Sequence, residues 1–148
     1  NGWTEEEGFF DPQMNSFNHY SLGSVGEWLY RHVAGIELDP EAPGFQRFII
    51  KPYTSRELDF AGARYHCMFG IIASHWKIKA DSTELKVRIP PNATARVYFP
   101  CTPDQAVHES GRPVAEAPGV VYQSHDGMYA VLDVSSGRYQ FQVGDPIE

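Results

Sequence analysis

Residues 74–80, with the sequence SHWKIKA, decide the fold class because polar and apolar residues alternate along them. Successive side chains of a β-strand point to opposite faces of a sheet, so Trp76, Ile78 and Ala80 are expected to face a core. Residues 84–89 (ELKVRI) repeat the alternation. Turn-forming residues 81–83 lie between the two segments, which are therefore predicted to form a hairpin.

A strand-like residue pattern extends over most of the chain. Short runs of β-branched and aromatic residues alternate with turn formers and predict about eight strands, at residues 46–51, 64–69, 71–80, 84–89, 95–99, 120–123, 129–134 and 138–143. This pattern is typical of an antiparallel β-sandwich. The sequence therefore predicts a mainly β fold.

A proline and glycine cluster at residues 39–44 (DPEAPG) separates these strands from a different N-terminal texture. We place a domain boundary there, giving residues 1–40 and 41–148. Before it, apolar residues recur at the spacing of an amphipathic helix with one buried stripe, namely Val25, Trp28, Leu29, Val33 and Ile36. Gly23 and Gly26 would weaken this helix, which suggests close approach of a neighbouring element.

A polar run precedes the helix and includes Asn15, Ser16, Asn18 and His19. Asn and Ser favour the turn and cap positions that open a helix, where free backbone N–H groups collect. His19 is therefore predicted to stand at the helix entrance, a common place for ligands.

Several strings resemble the bacterial α-L-rhamnosidases, which are inverting glycoside hydrolases. They are MNSFNHY (14–20), GSVGEWLY (23–30), VAGI (33–36), PGF (43–45) and FIIKP (48–52). A looser likeness continues through Gly70 and Trp76 to the C-terminus, so the resemblance covers nearly the whole chain.

The resemblance implies that residues 1–40 are the last loop and helix of an α/α toroid of six helical hairpins, the catalytic domain. Residues 41–148 would be the C-terminal β-sandwich. The catalytic acid and base of such enzymes would precede Asn1, so no catalytic residue is expected in this chain, which is predicted to be an inactive fragment by itself. His19 would contact the substrate.

Aromatic residues near the N-terminus are the other candidates for sugar binding. Trp3, Phe9, Phe10 and Phe17 could supply an apolar surface for the methyl group of a deoxy sugar. Trp3 is the strongest of them, because it adjoins the segment where the resemblance places the general base. The simpler alternative is that these rings pack a loop.

Five acidic residues are candidates for the chemistry of hydrolysis. Inverting hydrolysis needs two carboxyl groups about 6.5–9.5 Å apart. Glu5–Glu7 and Asp11 are dense enough to be considered, although a solvated loop and a turn explain them more simply. Glu27, in the middle of the helix, is interpreted as the partner of a buried polar group.

Composition excludes several classes of partner. The net charge of −7, without a basic cluster in the sequence, argues against nucleic acids and anionic membranes. No apolar run approaches the roughly 20 residues that span a bilayer. Cys67 and Cys101 lack metal-site spacing, so they are either free thiols or one disulfide, and neither a metal nor another cofactor is expected.

Three functions remain open. The chain could belong to an α-L-rhamnosidase that binds rhamnosyl glycosides together with the rest of the parent enzyme. It could be a free-standing carbohydrate-binding sandwich, which requires coplanar exposed aromatics such as Tyr98, Tyr122, Tyr129 and Tyr139. It could also be purely structural. The isolated chain is expected to self-associate if nothing covers its helix.

Overall fold

The computed structural model describes residues 3–11, 13, 19–55, 57–80 and 82–144. In these residues one α-helix, α1 (Tyr20–Trp28), continues into a π-helical turn (Leu29–Val33), and a 3-10 turn spans Val114–Glu116. The remaining elements are strands: β1 (Trp3–Thr4), β2 (Gly8–Phe9), β3 (Ile36–Leu38), β4 (Arg47–Ile50), β5 (Phe60–Cys67), β6 (Gly70–Lys79), β7 (Ser82–Ile89), β8 (Thr94–Pro100), β9 (His108–Glu109), β10 (Arg112–Pro113), β11 (Val120–Asp126), β12 (Tyr129–Val134) and β13 (Gly137–Val143).

Two sheets form a sandwich. The six-stranded sheet has the order β10-β9-β13-β7-β6-β5, and the five-stranded sheet has the order β11-β12-β8-β4-β3. Neighbouring strands run antiparallel except β4 and β8, which are parallel. The strands β1 and β2 form a separate hairpin. The predicted sandwich is confirmed, with one parallel pair that the sequence did not indicate.

Large apolar side chains from both sheets fill the space between them. Trp76 of β6 and Phe141 of β13 meet Phe48 of β4 and Phe99 of β8, and all four are fully buried. These residues occupy alternate positions of their strands, as a two-layer core requires. Burial of such rings stabilises a fold by roughly 1.5–3 kcal/mol each. The core therefore lies between the sheets and leaves their outer faces to solvent or to partners.

All eight predicted strands are present, and the hairpin of β6 and β7 has the predicted alternation. β7 begins at Ser82, so the turn is shorter than the predicted residues 81–83. The sequence missed the hairpin of β1 and β2, the strand β3, and the short pair β9 and β10. Ile36 was assigned to the helix, but it lies in β3 and pairs with Ile50. The helix ends earlier because Gly35 adopts a left-handed φ of 76°.

Candidate functional site

His19 directly precedes α1, at the helix entrance that the sequence predicted. Its backbone is extended, with φ −61° and ψ 125°, and its side chain makes no capping hydrogen bond to the helix. The imidazole is exposed. Residues 14–18 of the motif, including Asn15, Ser16, Phe17 and Asn18, lie outside the described residues. Contact between His19 and a substrate stays a prediction.

The helical segment, residues 19–35, is attached to the sandwich through its C-terminal end. The indole Nε1 of Trp76 donates a hydrogen bond to the Val33 carbonyl at 2.7 Å, and the Ser74 hydroxyl donates to the Ala34 carbonyl at 2.6 Å. The backbone N–H of Tyr53 donates to the His32 carbonyl at 2.8 Å. Because Trp76 and Ser74 are buried, water cannot replace these donors cheaply. The end of the segment is therefore held in a defined position.

The other end of the helical segment is exposed. The apolar side chains of Tyr20, Val25 and Trp28 are 93%, 58% and 52% exposed, so the N-terminal part of the predicted buried stripe is uncovered among the described residues. The last two residues of that stripe, Val33 and Ile36, do pack against the core. A Cβ atom added at Gly23 or Gly26 would meet nothing within 4 Å. The close neighbour that these glycines suggested is absent from the described part of this chain.

An apolar groove of about 820 Å³ lies beside the C-terminal half of the helical segment. Tyr30, Phe45 and Tyr65 line it together with residues of β3 and β4. Phe45 and Tyr65 pack with ring centroids 4.7 Å apart. Glu27, Tyr30 and Arg31 bring the helical segment to this groove, on a different side of the helix from Val25 and Trp28.

Arg31 joins two carboxylates at the edge of the groove. It lies 3.2 Å from Glu27 and 2.6 Å from Glu37, and these hydrogen bonds, that to Glu37 first, raise the pKa of Arg31. The Glu27 side chain is 68% exposed. The expectation that Glu27 pairs with a buried polar group is therefore wrong, since its partner is a surface arginine one helical turn away.

The N-terminal acidic cluster lies in a hairpin turn. Trp3 of β1 pairs with Phe9 of β2, and Glu5–Glu7 form the exposed connection between the strands. The Glu7 N–H donates to the Thr4 hydroxyl at 3.0 Å. Asp11 accepts from the Gln13 N–H at 2.9 Å, which closes a local turn. These contacts match the interpretation as a solvated loop, and a sugar-binding role of Trp3 stays a prediction.

Cys67 and Cys101 are both free thiols. Burial raises the pKa of the Cys101 thiol above its usual 9.0, so it is protonated at neutral pH. Its carbonyl lies 3.1 Å from Nε2 of His125. Within the described ranges, no group of three His, Cys, Asp or Glu residues is arranged to hold a metal ion. In the same ranges no helix has the length and apolarity needed to cross a membrane.

Comparison with known proteins decides the family. Residues 35–112, just over half of the chain, match the bacterial α-L-rhamnosidase C-terminal domain. The chain belongs to this family. An α-L-rhamnosidase of Streptomyces avermitilis is 37% identical over 137 residues, which are 92% of this chain and 12% of that protein. One of Formosa agariphila is 30% identical over 142 residues, which are 96% of this chain and 15% of that protein.

The structural comparison agrees. The crystal structure of the Streptomyces avermitilis α-L-rhamnosidase complexed with L-rhamnose has a TM-score of 0.76 at 33% identity. The match covers 95% of this chain and 13% of that one. Our rhamnosidase C-terminal domain thus spans between 12% and 15% of the length of the two relatives named above.

The four tyrosines of a hypothetical binding platform do not form one in this rhamnosidase domain. Tyr98 and Tyr129 meet edge to face at 84°, and the Lys51 ammonium lies 4.5 Å and 5.1 Å from their ring centroids. Tyr139 stacks on buried Phe141 at 5.9 Å. Tyr122 is exposed on β11. Coplanar exposed rings, which a free-standing carbohydrate-binding sandwich requires, are not assembled from these residues.

One feature of the rhamnosidase domain escaped sequence reasoning. The outward positions of the six-stranded sheet collect six of the 12 Lys and Arg residues on one surface, which we call the basic face: Arg64, Lys77, Lys79, Lys86, Arg88 and Arg138. These residues come from four strands, so they form no basic cluster along the sequence. Alternation of Lys and Arg with core residues in β6 and β7 was the only available signal.

Proposed function

We propose that this chain is the C-terminal part of an α-L-rhamnosidase, in which the sandwich positions the helical segment and His19 contacts a rhamnosyl substrate. The observation that carries the proposal is the asymmetry of the helical segment. Its end at Val33 and Ala34 is hydrogen-bonded to buried Trp76 and Ser74, whereas its beginning projects from the sandwich. A segment held at one end can present the residue at the other.

The uncovered apolar surface supports a larger parent protein. The helix face and the adjoining groove expose several large apolar side chains, and monomeric proteins rarely leave contiguous apolar patches of more than a few hundred Å² in water. Gly23 and Gly26 would let another helix approach closely. We assign the missing cover to a preceding α/α toroid, of which residues 1–40 would be the last part. The strand β3 (Ile36–Leu38) then ties that part to the sandwich by pairing with β4.

The proposed role of His19 is binding. A neutral imidazole offers one hydrogen-bond donor and one acceptor, which suits a pair of sugar hydroxyl groups. We assign neither the catalytic acid nor the catalytic base to this chain, and no cofactor is part of the proposal. The hydrolysis of terminal α-L-rhamnosyl residues would belong to the whole protein.

The test is an assay of the whole protein containing this chain on p-nitrophenyl α-L-rhamnoside. We expect His19→Ala to lower kcat/KM about tenfold, because one lost hydrogen bond of about 1.4 kcal/mol corresponds to that factor. His66→Ala is the matched control, since His66 is an exposed histidine on β5, and it should leave kcat/KM unchanged. Equal effects of the two variants would contradict the role of His19.

The 148-residue chain alone is expected to release no p-nitrophenol. Release by this chain would overturn the assignment of both catalytic carboxylates to the rest of the enzyme. Glu5–Glu7, Asp11 and Glu27 would then be the positions to substitute.

A further inference from the structure

Strand register places three arginines in one row on the basic face. Arg64 of β5 pairs with Ala73 of β6, Ala73 pairs with Arg88 of β7, and Arg88 pairs with Arg138 of β13. Neighbouring strands lie about 4.8 Å apart, so Arg64 and Arg88 flank a gap of about 10 Å above Ala73. Arg88 and Arg138 stand directly opposite each other, an arrangement that destabilises a sheet.

These arginines have no carboxylate partner among the described residues, unlike others in the same chain. Arg31, Arg47 and Arg96 each form an ion pair with a carboxylate. The only acidic residue at the outward positions of β5, β6, β7 and β13 is Glu84, which is buried. It is engaged by Lys86 at 3.1 Å and by the side-chain amide of Gln140. Three cations thus remain available to an external anion.

The row borders a concave region of about 960 Å³. Its lining contains Arg64, Lys86, Arg88 and Arg138, and no Asp or Glu among the described residues. Ala73 lies between Arg64 and Arg88 in the row, and its small side chain leaves the space between the two arginines open. The surface is therefore cationic and concave.

An aromatic shelf borders the same region. Gly62 has no side chain, and a Cβ atom there would lie 2.8 Å from Cδ2 of His75, so the imidazole rests over this glycine. The Phe60 ring stacks on His75 at 6.2 Å with an interplanar angle of 21°. Phe60 is 62% exposed. An exposed ring beside a cationic floor offers a surface for the carbon face of a sugar.

We propose that the basic face binds an acidic oligosaccharide, whose carboxylates pair with Arg64, Arg88 and Arg138 while a sugar ring packs on Phe60. Guanidinium groups hold carboxylates through two parallel hydrogen bonds, which is stronger and more specific than a contact with a point charge. The chain as a whole has a net charge of −7, which disfavours long, dense polyanions such as nucleic acids. The choice of a saccharide as the ligand rests on the proposed function. The positive charge of Arg64, Arg88 and Arg138 is an observation independent of that function.

The experiment is a calorimetric titration of the 148-residue chain with a galacturonic acid hexamer at low and at moderate salt. We expect saturable binding that weakens as salt rises, because the contacts are ionic and partly exposed. A neutral galactose hexamer should not bind. A duplex DNA oligomer and a poly-glutamate peptide test whether the face prefers nucleic acids or acidic peptides.

Variants locate the binding. Arg88→Gln and Arg64→Gln should each weaken binding of the acidic hexamer about tenfold or more, since each removes charged hydrogen bonds. Arg96→Gln is the matched control, because it changes the net charge equally but lies on the five-stranded sheet, where Arg96 pairs with Asp133. Circular dichroism of each variant verifies that the sandwich is folded. The control should bind as the parent chain does.

Three outcomes would overturn the proposal. The first is that the acidic hexamer does not bind, and the second is that Arg88→Gln and Arg96→Gln weaken its binding equally. The third is that DNA or poly-glutamate binds more tightly than the acidic hexamer. Failure here leaves the proposed function untouched, because the His19→Ala assay uses an uncharged rhamnoside. Loss of the His19 effect with intact acidic-hexamer binding would instead remove the rhamnosidase role and retain the basic face.

Discussion

Gly35 is the residue on which the junction between the helical segment and the sandwich depends most directly. It has a left-handed φ of 76°, and a Cβ atom there would lie 2.2 Å from the backbone N of Pro52 and 2.3 Å from the carbonyl carbon of Lys51. Its own carbonyl accepts a hydrogen bond from the Lys51 N–H at 2.8 Å. Backbone therefore packs on backbone, and neither side can give way as a flexible side chain would.

We predict that Gly35→Ala destabilises the chain by about 2–4 kcal/mol, the sum of left-handed backbone strain and overpacking. Urea unfolding measures this free energy. Gly44→Ala is the matched control, because Gly44 also has a positive φ, 101°, but a Cβ atom there would meet nothing within 4 Å. Gly44→Ala should lower the free energy of unfolding only by the cost of the backbone strain, about 1 kcal/mol. Equal losses in the two variants would show that the contact with residues 51 and 52 is unimportant.

Asp39, in the loop between β3 and β4, makes the stability of the chain depend on pH. The Arg47 guanidinium, followed by the Glu41 N–H, lowers the pKa of Asp39 below its usual 3.8. Its stabilising contribution is thus fully present above that usual value and is lost as the pH falls through the lowered pKa. We predict that Asp39→Asn destabilises the chain at neutral pH and destabilises it less at about pH 2.

Urea unfolding at both pH values measures this difference. Asp126→Asn is the control, because Asp126 forms no ion pair among the described residues, and its effect should be smaller at neutral pH. The prediction fails if Asp39→Asn has the same effect at both pH values.

At the scale of elements, α1 is a short helix whose stability comes from its attachment. Nine residues are fewer than an isolated helix needs in water, and two of them are glycines. The hydrogen bonds at Val33 and Ala34 supply the tertiary support. The π-helical turn between α1 and Ala34 ends with the Ala34 N–H donating to the Leu29 carbonyl at 2.9 Å.

We predict that Gly26→Ala stabilises the 148-residue chain by up to about 1 kcal/mol, because alanine has the higher helix propensity and the added Cβ atom meets open space. Far-UV circular dichroism during urea unfolding measures this change. In the whole protein the same substitution should lower stability or activity if another helix packs there. A gain of stability in both proteins would contradict a close neighbour at Gly26.

At the scale of the whole molecule, the helix face and the nearby groove leave several large apolar side chains uncovered among the described residues. We predict that the 148-residue chain self-associates through these side chains as its concentration rises. Trp28→Gln should weaken association, as measured by sedimentation velocity. Met68→Gln is the control, because Met68 is 84% exposed in the turn between β5 and β6. A monomer at all concentrations would contradict the prediction.

Local pattern was sufficient for the strands and the core. Trp76, Leu85 and Val87 alternate with charged residues, and the structure buries all three. The assignment of Ile36 to the helix was wrong, because Ile36 continues the helical spacing that begins at Val25. Only pairing with β4 makes Ile36–Leu38 a strand, and that partner is remote enough that spacing alone cannot reveal it.

Some features of the candidate site were likewise predictable from the sequence and others were not. The N-cap position of His19 follows from local backbone preferences and was predicted, whereas the anchors from Ser74 and Trp76 join residues about 40 positions apart and were not. The sequence by itself determined the sandwich, its core and the helix entrance, since each depends on neighbours along the chain. Only the tertiary structure decided the exposed helix face and the row of Arg64, Arg88 and Arg138, because strand register and packing bring distant residues together.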